Sequence, residues 1–268
     1  MALPPAAPGS TCLVTGASSG IGAELARGLA RRAHGVTLVA RSAEALEELA
    51  EELRRTHGVR AEVLNCDISD PTEVEQLVEE LKEHELTVEV VVNNAGIGTG
   101  GPFHELDMQG EITMVRLNAE AVVALCGAFL PGMVQRGRGA VLNVASTTAF
   151  QPLPTEATYG ATKAFVLNFT EALHGEYAGT GITVTALCPG PVKTQFMEGP
   201  GIEAGASNLP SAMWVDASDV AERGLRGLER GRRVVVPGAL NRAGAFAGRH
   251  VHRGMLLRVA RRVTASTH

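Results

Sequence analysis

Aromatic side chains are scarce in this sequence: they make up 4% of its 268 residues, with one Trp and two Tyr. A core must therefore come from small aliphatic residues, and the 45% hydrophobic content with 31 glycines suits short strands packed under helices with many tight turns. Paired cysteines are also missing. Cys12, Cys66, Cys126 and Cys188 are widely spaced with no C-x-x-C pattern, which excludes a disulfide framework or a cysteine-held zinc and leaves four reduced packing residues. The first ten residues hold three prolines and no positive charge, unlike an export signal, and no window reaches the ~18 consecutive apolar residues of a membrane span. A cytoplasmic protein without membrane association is the expectation. A net charge of -5 gives no general pull toward nucleic acid. Acids stop at Glu229: nine arginines follow it, whereas the preceding residues hold 15 basic side chains against 29 acids. The pair His250 and His252 has no recognised metal spacing, and Asn143-Val144-Ala145-Ser146 lacks the glycine-flanked elbow of a hydrolase serine.

What is present is an alternation of short β-branched runs with long amphipathic stretches. Thr11–Thr15, Val36–Ala40, Arg60–Asn65, Val88–Asn93, Ala140–Val144, Thr183–Leu187 and Arg233–Val236 read as strands, apolar enough to be buried on both faces of a parallel sheet. Repeated βα units of this kind predict one α/β domain of the doubly wound class over residues 1–268, with a flexible start at 1–9. Asp70-Pro71-Thr72-Glu73 predicts a helix start with an N-cap acid and a capping-box glutamate, and Asp216 or Ser218 can start the helix that ends near Arg230. Glu111–Gln135 reads as one helix, apolar on most sides, that packs on the sheet and on a partner subunit. Residues 190–215 lack a period and read as a mobile loop beside a site.

The first strand runs into Gly16-Ala17-Ser18-Ser19-Gly20-Ile21-Gly22 and then a helix. Glycines there permit a tight turn and let backbone N–H groups approach a pyrophosphate at the helix N-terminus, although an ordinary βα turn can look the same. The second strand ends in Ala40-Arg41-Ser42, about 20 residues on, where a site selecting NAD would place a carboxylate. A guanidinium suits a 2′-phosphate by charge and fork geometry, against the alternative of a solvated strand-end arginine. Asp67, followed by Ile68 after the third strand, can accept a bond from an adenine amino group. Tyr159 and Lys163, at i and i+4, share one helix face. Bringing a phenol from ~10 to neutrality needs roughly 4 kcal/mol, and the ammonium is the candidate source.

These residues, taken in order, resemble the short-chain dehydrogenases/reductases from about Thr11 to Val236. Thr15–Gly22 is similar to the family's glycine motif, and Asn93-Asn94-Ala95-Gly96 to its strand-stabilising motif. Ser146 precedes Tyr159 by 13 residues, Tyr159 to Lys163 forms the Tyr-x-x-x-Lys signature, and Pro189-Gly190-Pro191-Val192 with Thr194 is similar to the segment beside the nicotinamide. The resemblance implies a Rossmann-type fold with a seven-stranded parallel sheet and helices on both faces. It implies a homodimer or homotetramer that reduces a ketone or aldehyde with NADP(H) rather than NAD(H). In that chemistry Tyr159 donates a proton to the carbonyl oxygen while the nicotinamide delivers hydride to its carbon. Ser146 holds the oxygen, Lys163 also bonds the nicotinamide ribose, and Asn118 holds a water that resupplies protons.

The substrate is left open among 3-oxoacyl thioesters, aliphatic ketones or aldehydes, and steroid-like ketones. Ala149–Thr155 with Phe196, Met197, Met213 and Trp214 suggests an apolar pocket. Two other readings stay open: an alcohol dehydrogenase working in the oxidative direction, and a cofactor-binding regulator or scaffold. In the tail, about 240–263, Phe246, Val251, Met255, Val259 and Val263 recur at mostly four-residue steps among arginines, which predicts one basic amphipathic helix. Packing on its own domain or a second subunit ranks ahead of a lipid surface, with a role beside the substrate pocket as the sharper alternative.

Overall fold

The structure is a computed structural model that describes residues 3–194, 196, 201 and 210–265. Seven strands form one parallel sheet: β1 (Ser10–Thr15), β2 (Val36–Ala40), β3 (Ala61–Asn65), β4 (Thr87–Asn93), β5 (Gly139–Val144), β6 (Ile182–Leu187) and the short β7 (Val234–Val235). Their spatial order is β3-β2-β1-β4-β5-β6-β7, so the winding reverses between β1 and β4. In an open α/β sheet that reversal opens a crevice at the carboxyl ends of the strands.

Helices cover both faces: α1 (Gly20–Ala30), α2 (Ala43–His57), α3 (Pro71–Glu83), α4 (Met108–Val115), α5 (Ala121–Arg136), α6 (Ala157–Glu176) and α7 (Ala217–Glu229). The amphipathic spacing acts as expected in α2, where Leu46, Leu49, Ala50 and Leu53 are the buried residues. One apolar cluster gathers α1, α2 and α7 on one face of the sheet, and a second gathers α3, α5 and α6 on the other. Strands β1 to β6 each contribute to both clusters: Val14 and Leu13 of β1, for example, enter different ones. This is why most strands read as largely apolar runs without strict polar alternation. All four cysteines are buried and unpaired.

Three local features depart from the sequence-based expectation. Asp70 caps α3 by accepting from Thr72 N–H (2.8 Å), but Glu73 accepts from the Asp67 N–H (2.7 Å) instead of closing a capping box on the N-cap residue. The long helix contains a π turn at Arg116–Glu120 between α4 and α5. Met108–Arg136 as a whole is long and apolar enough to cross a membrane, although Ala121, Val122, Leu125, Cys126, Leu130 and Met133 are buried in the second cluster. The tail forms two helices, α8 (Ala239–His250) and α9 (Arg253–Ala265), parted at Val251 and His252. The side chains of Val259 and Val263 lie outside the described residues.

Candidate active site

The β1–α1 turn occupies the crevice. Thr15 Oγ1 accepts the N–H groups of Asn94 (3.0 Å) and Ala95 (3.1 Å), and Asn94 Nδ2 donates back to the carbonyls of Thr15 (3.0 Å) and Gly16 (3.2 Å). The Asn94–Gly96 segment is thereby strapped to the glycine turn. Gly16 has φ +63°, and a Cβ on it would lie 2.8 Å from Ala95 Cα. A Cβ on Gly22 would lie 2.1 Å from the Gly16 oxygen, so neither position accepts another residue without moving the turn. Ser19, the N-cap of α1, makes no side-chain cap bond, and the first turn carries no acid. The first N–H groups of α1, at Gly20, Ile21 and Gly22, lack intrahelical partners by helix geometry and face no competing carboxylate in their own turn. Thr194 closes over this turn, since a Cβ on Gly20 would meet its methyl at 2.9 Å. Of the same strand-end segment, Val192 is buried and the Pro189 carbonyl accepts from Thr147 N–H (2.8 Å).

At the end of β2 the Arg41 side chain is 73% exposed, with Nη1 4.0 Å from Asp67 Oδ2. Ser42 is the N-cap of α2 and leaves its hydroxyl out of any cap bond. Asp67 Oδ1 accepts from Ser69 N–H (3.0 Å) and Oγ (2.7 Å). Against the upward push of burial, these bonds, with Arg41 alongside, hold the Asp67 carboxyl below the usual range. The guanidinium is therefore partly compensated by Asp67, a pairing that the sequence reading did not include. Ile68 is buried beside it.

Asn118, Ser146, Tyr159 and Lys163 come from the π turn, the end of β5 and α6, and all are nearly enclosed. Lys163 Nζ donates to the Val144 carbonyl (3.0 Å) and lies 5.8 Å from the centre of the Tyr159 ring. A Cβ on Gly96 would lie 3.2 Å from Lys163 Nζ and 3.0 Å from Asn118 Oδ1, which places the glycine strap against both. The Asn118 amide is held at both ends: Oδ1 accepts from Ile97 N–H (3.0 Å), and Nδ2 donates to Ile97 O (2.9 Å) and Thr162 Oγ1 (3.2 Å). Thr162 in turn donates to Tyr159 O (2.8 Å). A π turn widens the helix locally and often sits at a functional position, here presenting Asn118 to α6.

Proton affinities in this group follow burial. Burial raises the Tyr159 phenol above its ordinary value, a hydrogen bond with Ser146 eases it down, and the nearby Glu156 pushes it up again. Burial lowers the Lys163 ammonium to about 8. The direction at Tyr159 is opposite to that expected from the ammonium acting alone, because the phenol and the amine are enclosed together. At neutral pH the phenol keeps its proton.

Sequence reasoning missed Thr162, Thr15 as the strap's acceptor, and Glu156. Thr162 stands three residues after Tyr159, where a helical neighbour would be sought. Glu156 has the matching spacing before Tyr159, but its enclosure leaves no mark in the sequence. It precedes Tyr159 by one helical turn, is partly enclosed, and its carboxyl is raised to about 7 by burial. Thr155 beside it has φ +73°, a strained conformation for a β-branched residue. The Phe196 ring lies 5.4 Å from the Tyr159 ring, and Lys193 lies 6.0 Å from the Trp214 ring. Met197 falls outside the described residues. Asn241 of α8, 1% exposed, donates from Nδ2 to Met213 O (2.9 Å) and Pro237 O (3.1 Å), and it fills the space where a Cβ of Gly190 would be. The tail thus braces both ends of the segment that follows β6.

Residues 10–201 match the short chain dehydrogenase family. A putative ketoacyl reductase of Streptomyces coelicolor is 42% identical over 184 residues, 68% of this chain and 70% of that one. Sulfoacetaldehyde reductase 2 of Chromohalobacter salexigens is 38% identical over 186 residues, 69% of this chain and 73% of its own. Among solved structures, a short-chain dehydrogenase from Sphingobium yanoikuyae in complex with NADPH superposes with a TM-score of 0.79 at 34% identity, over 96% of this chain and 95% of that one. A variant of actinorhodin polyketide ketoreductase with NADPH gives 0.77 at 35%, over 88% and 99%. With its glycine turn at the winding reversal and its matched span of sequence, the chain belongs to the short-chain dehydrogenase/reductase family and is an oxidoreductase.

Proposed function

We propose that this enzyme reduces a ketone or aldehyde with NADPH, with Tyr159 as the proton donor. The observation that carries the reading is the enclosure of Ser146, Tyr159 and Lys163 at the end of β5 and the start of α6, against the Asn94–Gly96 strap. The glycine turn fits a dinucleotide: its Cβ-free positions, uncapped helix start and acid-free first turn leave backbone donors for a diphosphate. Gly16, Ser18, Ser19, Gly20, Ile21 and Gly22 would hold that part, Asp67 and Ile68 the adenine, Asn94–Gly96 and Lys163 the nicotinamide ribose, and Pro189, Gly190, Val192 and Thr194 the nicotinamide side. When bound, NADPH supplies the hydride.

The chain's own residues supply the rest. The Ser146 hydroxyl and the Tyr159 phenol are within hydrogen-bond reach of each other and would both meet the carbonyl oxygen, and the raised affinity of Tyr159 keeps its proton available for that oxygen as charge develops on it. After transfer, the ammonium of Lys163 stabilises the phenolate, and the Asn118 turn links the lysine to the proton supply. A phenol that keeps its proton at neutral pH is in the state from which reduction starts. A 3-oxoacyl or other apolar carbonyl compound suits the Phe196, Met213 and Trp214 side of the pocket, in keeping with the ketoacyl reductase likeness.

Arg41 and Ser42 support NADPH over NADH: the guanidinium and a free N-cap hydroxyl stand where a 2′-phosphate would arrive, and a phosphate outcompetes the 4.0 Å contact with Asp67. The test is oxidation of both cofactors across ketones, aldehydes and acyl thioesters, with wild type and Arg41→Ala. The expected result is turnover with NADPH preferred, and a gap narrowed about tenfold by Arg41→Ala, equivalent to ~1.4 kcal/mol. Binding without turnover on any carbonyl would favour a regulator, and a clear NADH preference would remove Arg41 from the site. The exposed Met108, Ile112, Val115, Val123, Val134 and Phe165 on α4, α5 and α6 support a homodimer or homotetramer, which the mass in solution tests.

A further inference from the structure

The tail reverses the usual arrangement of a surface helix. α8 rests on the domain through Asn241, Ala245 and Gly248, at three- and four-residue steps, with Gly248 so close to the turn Thr147–Phe150 that a Cβ would lie 2.9 Å from Phe150 Cβ. With that side committed, its apolar residues turn outward: Phe246 is 66% exposed and Leu240 44%, and the His250 ring stacks on Phe246 at 4.2 Å. In α9, Met255 is 59% exposed and Leu257 38%. Arg242, Arg253 and Arg258 are exposed among them. At the adjoining sheet edge, Arg223, Arg226, Arg230, Arg232 and Arg242 surround an open cleft of about 450 Å³ along Val234–Val236. Arg223 and Arg226 pair with Asp219 and Glu222, and Arg233 and Arg249 share Glu171. Arg230, Arg232 and Arg242 form no ion pair among the described residues.

We propose that α8 and α9, with the arginine-edged cleft beside β7, dock on an anionic lipid surface. The outward apolar side chains enter the boundary between headgroups and acyl chains, and the arginines meet lipid phosphates. Outward apolar residues among cations are the composition of an interfacial helix, and the guanidinium fork matches phosphate geometry. Charge decides between occupants. A two-fold contact with a second copy would set this patch against itself, and because its acids Asp219, Glu222 and Glu171 are already paired with its own arginines, Arg230, Arg232 and Arg242 would face cations. A lipid surface carrying phosphates supplies the missing negative charge. The position also has a consequence for access: α8 packs on Thr147–Phe150, just after Ser146, and on the Ser211–Met213 turn. A docked membrane would therefore lie against the wall of the substrate pocket. Docking does not depend on the reductase reading, since it is measured without turnover.

The experiment is cosedimentation of the intact chain with vesicles of phosphatidylglycerol and phosphatidylcholine in equal parts, and with vesicles of phosphatidylcholine alone. Binding is expected on the mixed vesicles, at least tenfold weaker on phosphatidylcholine, and lost in about 0.5 M sodium chloride, where charges are screened beyond roughly 4 Å. The combined variant Phe246→Ser, Met255→Ser, Leu257→Ser should bind at least tenfold more weakly while keeping its unfolding midpoint and NADPH affinity. Arg253→Ser with Arg258→Ser should weaken binding in the same direction. No salt-sensitive binding by the intact chain would overturn the proposal, as would full binding by the triple apolar variant. A drop in solution mass in that variant, without vesicle binding by the wild type, would overturn it in favour of a contact between copies.

Discussion

The two ends of the parallel sheet both bury ionisable side chains and treat them in opposite ways. At the amino-terminal end, the Glu89 side chain on β4 is 4% exposed and lies 3.2 Å from both Arg136 and Arg138. Its charge is met by opposite charge, so the site holds elements together. At the carboxyl end, Tyr159 and Lys163 are enclosed and Glu156 partly so, with no ion pair to any of them among the described residues; Lys163 meets a backbone carbonyl instead. Burial there raises the phenol, lowers the ammonium to about 8 and raises the Glu156 carboxyl to about 7. Enclosure without pairing brings Lys163 and Glu156 toward neutrality and holds the proton on Tyr159, so this end keeps a protonated donor beside groups able to exchange protons near neutral pH.

Substitutions at the two ends should therefore separate chemistry from stability. The largest effect is expected from Lys163→Ala, which removes the cation behind Tyr159 and a ribose ligand. kcat/KM should fall by about 10²–10⁴-fold and NADPH should bind more weakly, read by steady-state kinetics and by cofactor titration. Loss of turnover with unchanged NADPH affinity would confine Lys163 to the proton step.

Glu156 comes next. Its carboxyl affinity is raised from 4.5 to about 7 in the folded chain, so folding favours its protonated form. That contribution is fully present below about pH 4.5 and is lost as pH rises through about 7, a change on the order of 2 kcal/mol. Glu156→Gln should be more stable than wild type at pH 8 and should flatten the difference between pH 5 and pH 8 in denaturant titrations. Parallel profiles for the two proteins would place the carboxyl in water. The smallest effect belongs to Glu89→Ala. Arg136 and Arg138 are 32% and 50% exposed and can regain water, so about 1–2 kcal/mol of stability should be lost with kcat unchanged. A fall in kcat there would erase the distinction between the ends.

Legibility in the sequence divides along the same lines. The strands were readable to within a residue or two because most are buried on both faces and so carry largely apolar runs, as in Val36–Ala40 of β2. The fold class followed from their alternation with helices such as α2. At the site, Tyr159 and Lys163 were legible because their spacing is local. The strap from Asn94 to Thr15, the 4.0 Å approach of Arg41 to Asp67 and the enclosure of Glu156 depend on segments far apart in sequence or on burial by the whole fold. No local spacing encodes them. The π turn at Arg116–Glu120 has no compositional mark, and Glu73 chose Asp67 over the N-cap because the β3–α3 turn brings that N–H within 2.7 Å. The tail's apolar period was readable, but the side it turns to the domain was set by the small residues Ala245 and Gly248 with the buried Asn241, and those were not the residues of the stripe.

The central claim, that Tyr159 donates the proton, is tested most directly by kcat of Tyr159→Phe on a carbonyl substrate at saturating NADPH. The substitution deletes only the hydroxyl from a ring that packs 5.4 Å from Phe196. The expected result is a fall of about 10²–10⁴-fold with NADPH affinity and unfolding midpoint unchanged. A kcat within a few-fold of wild type would contradict it.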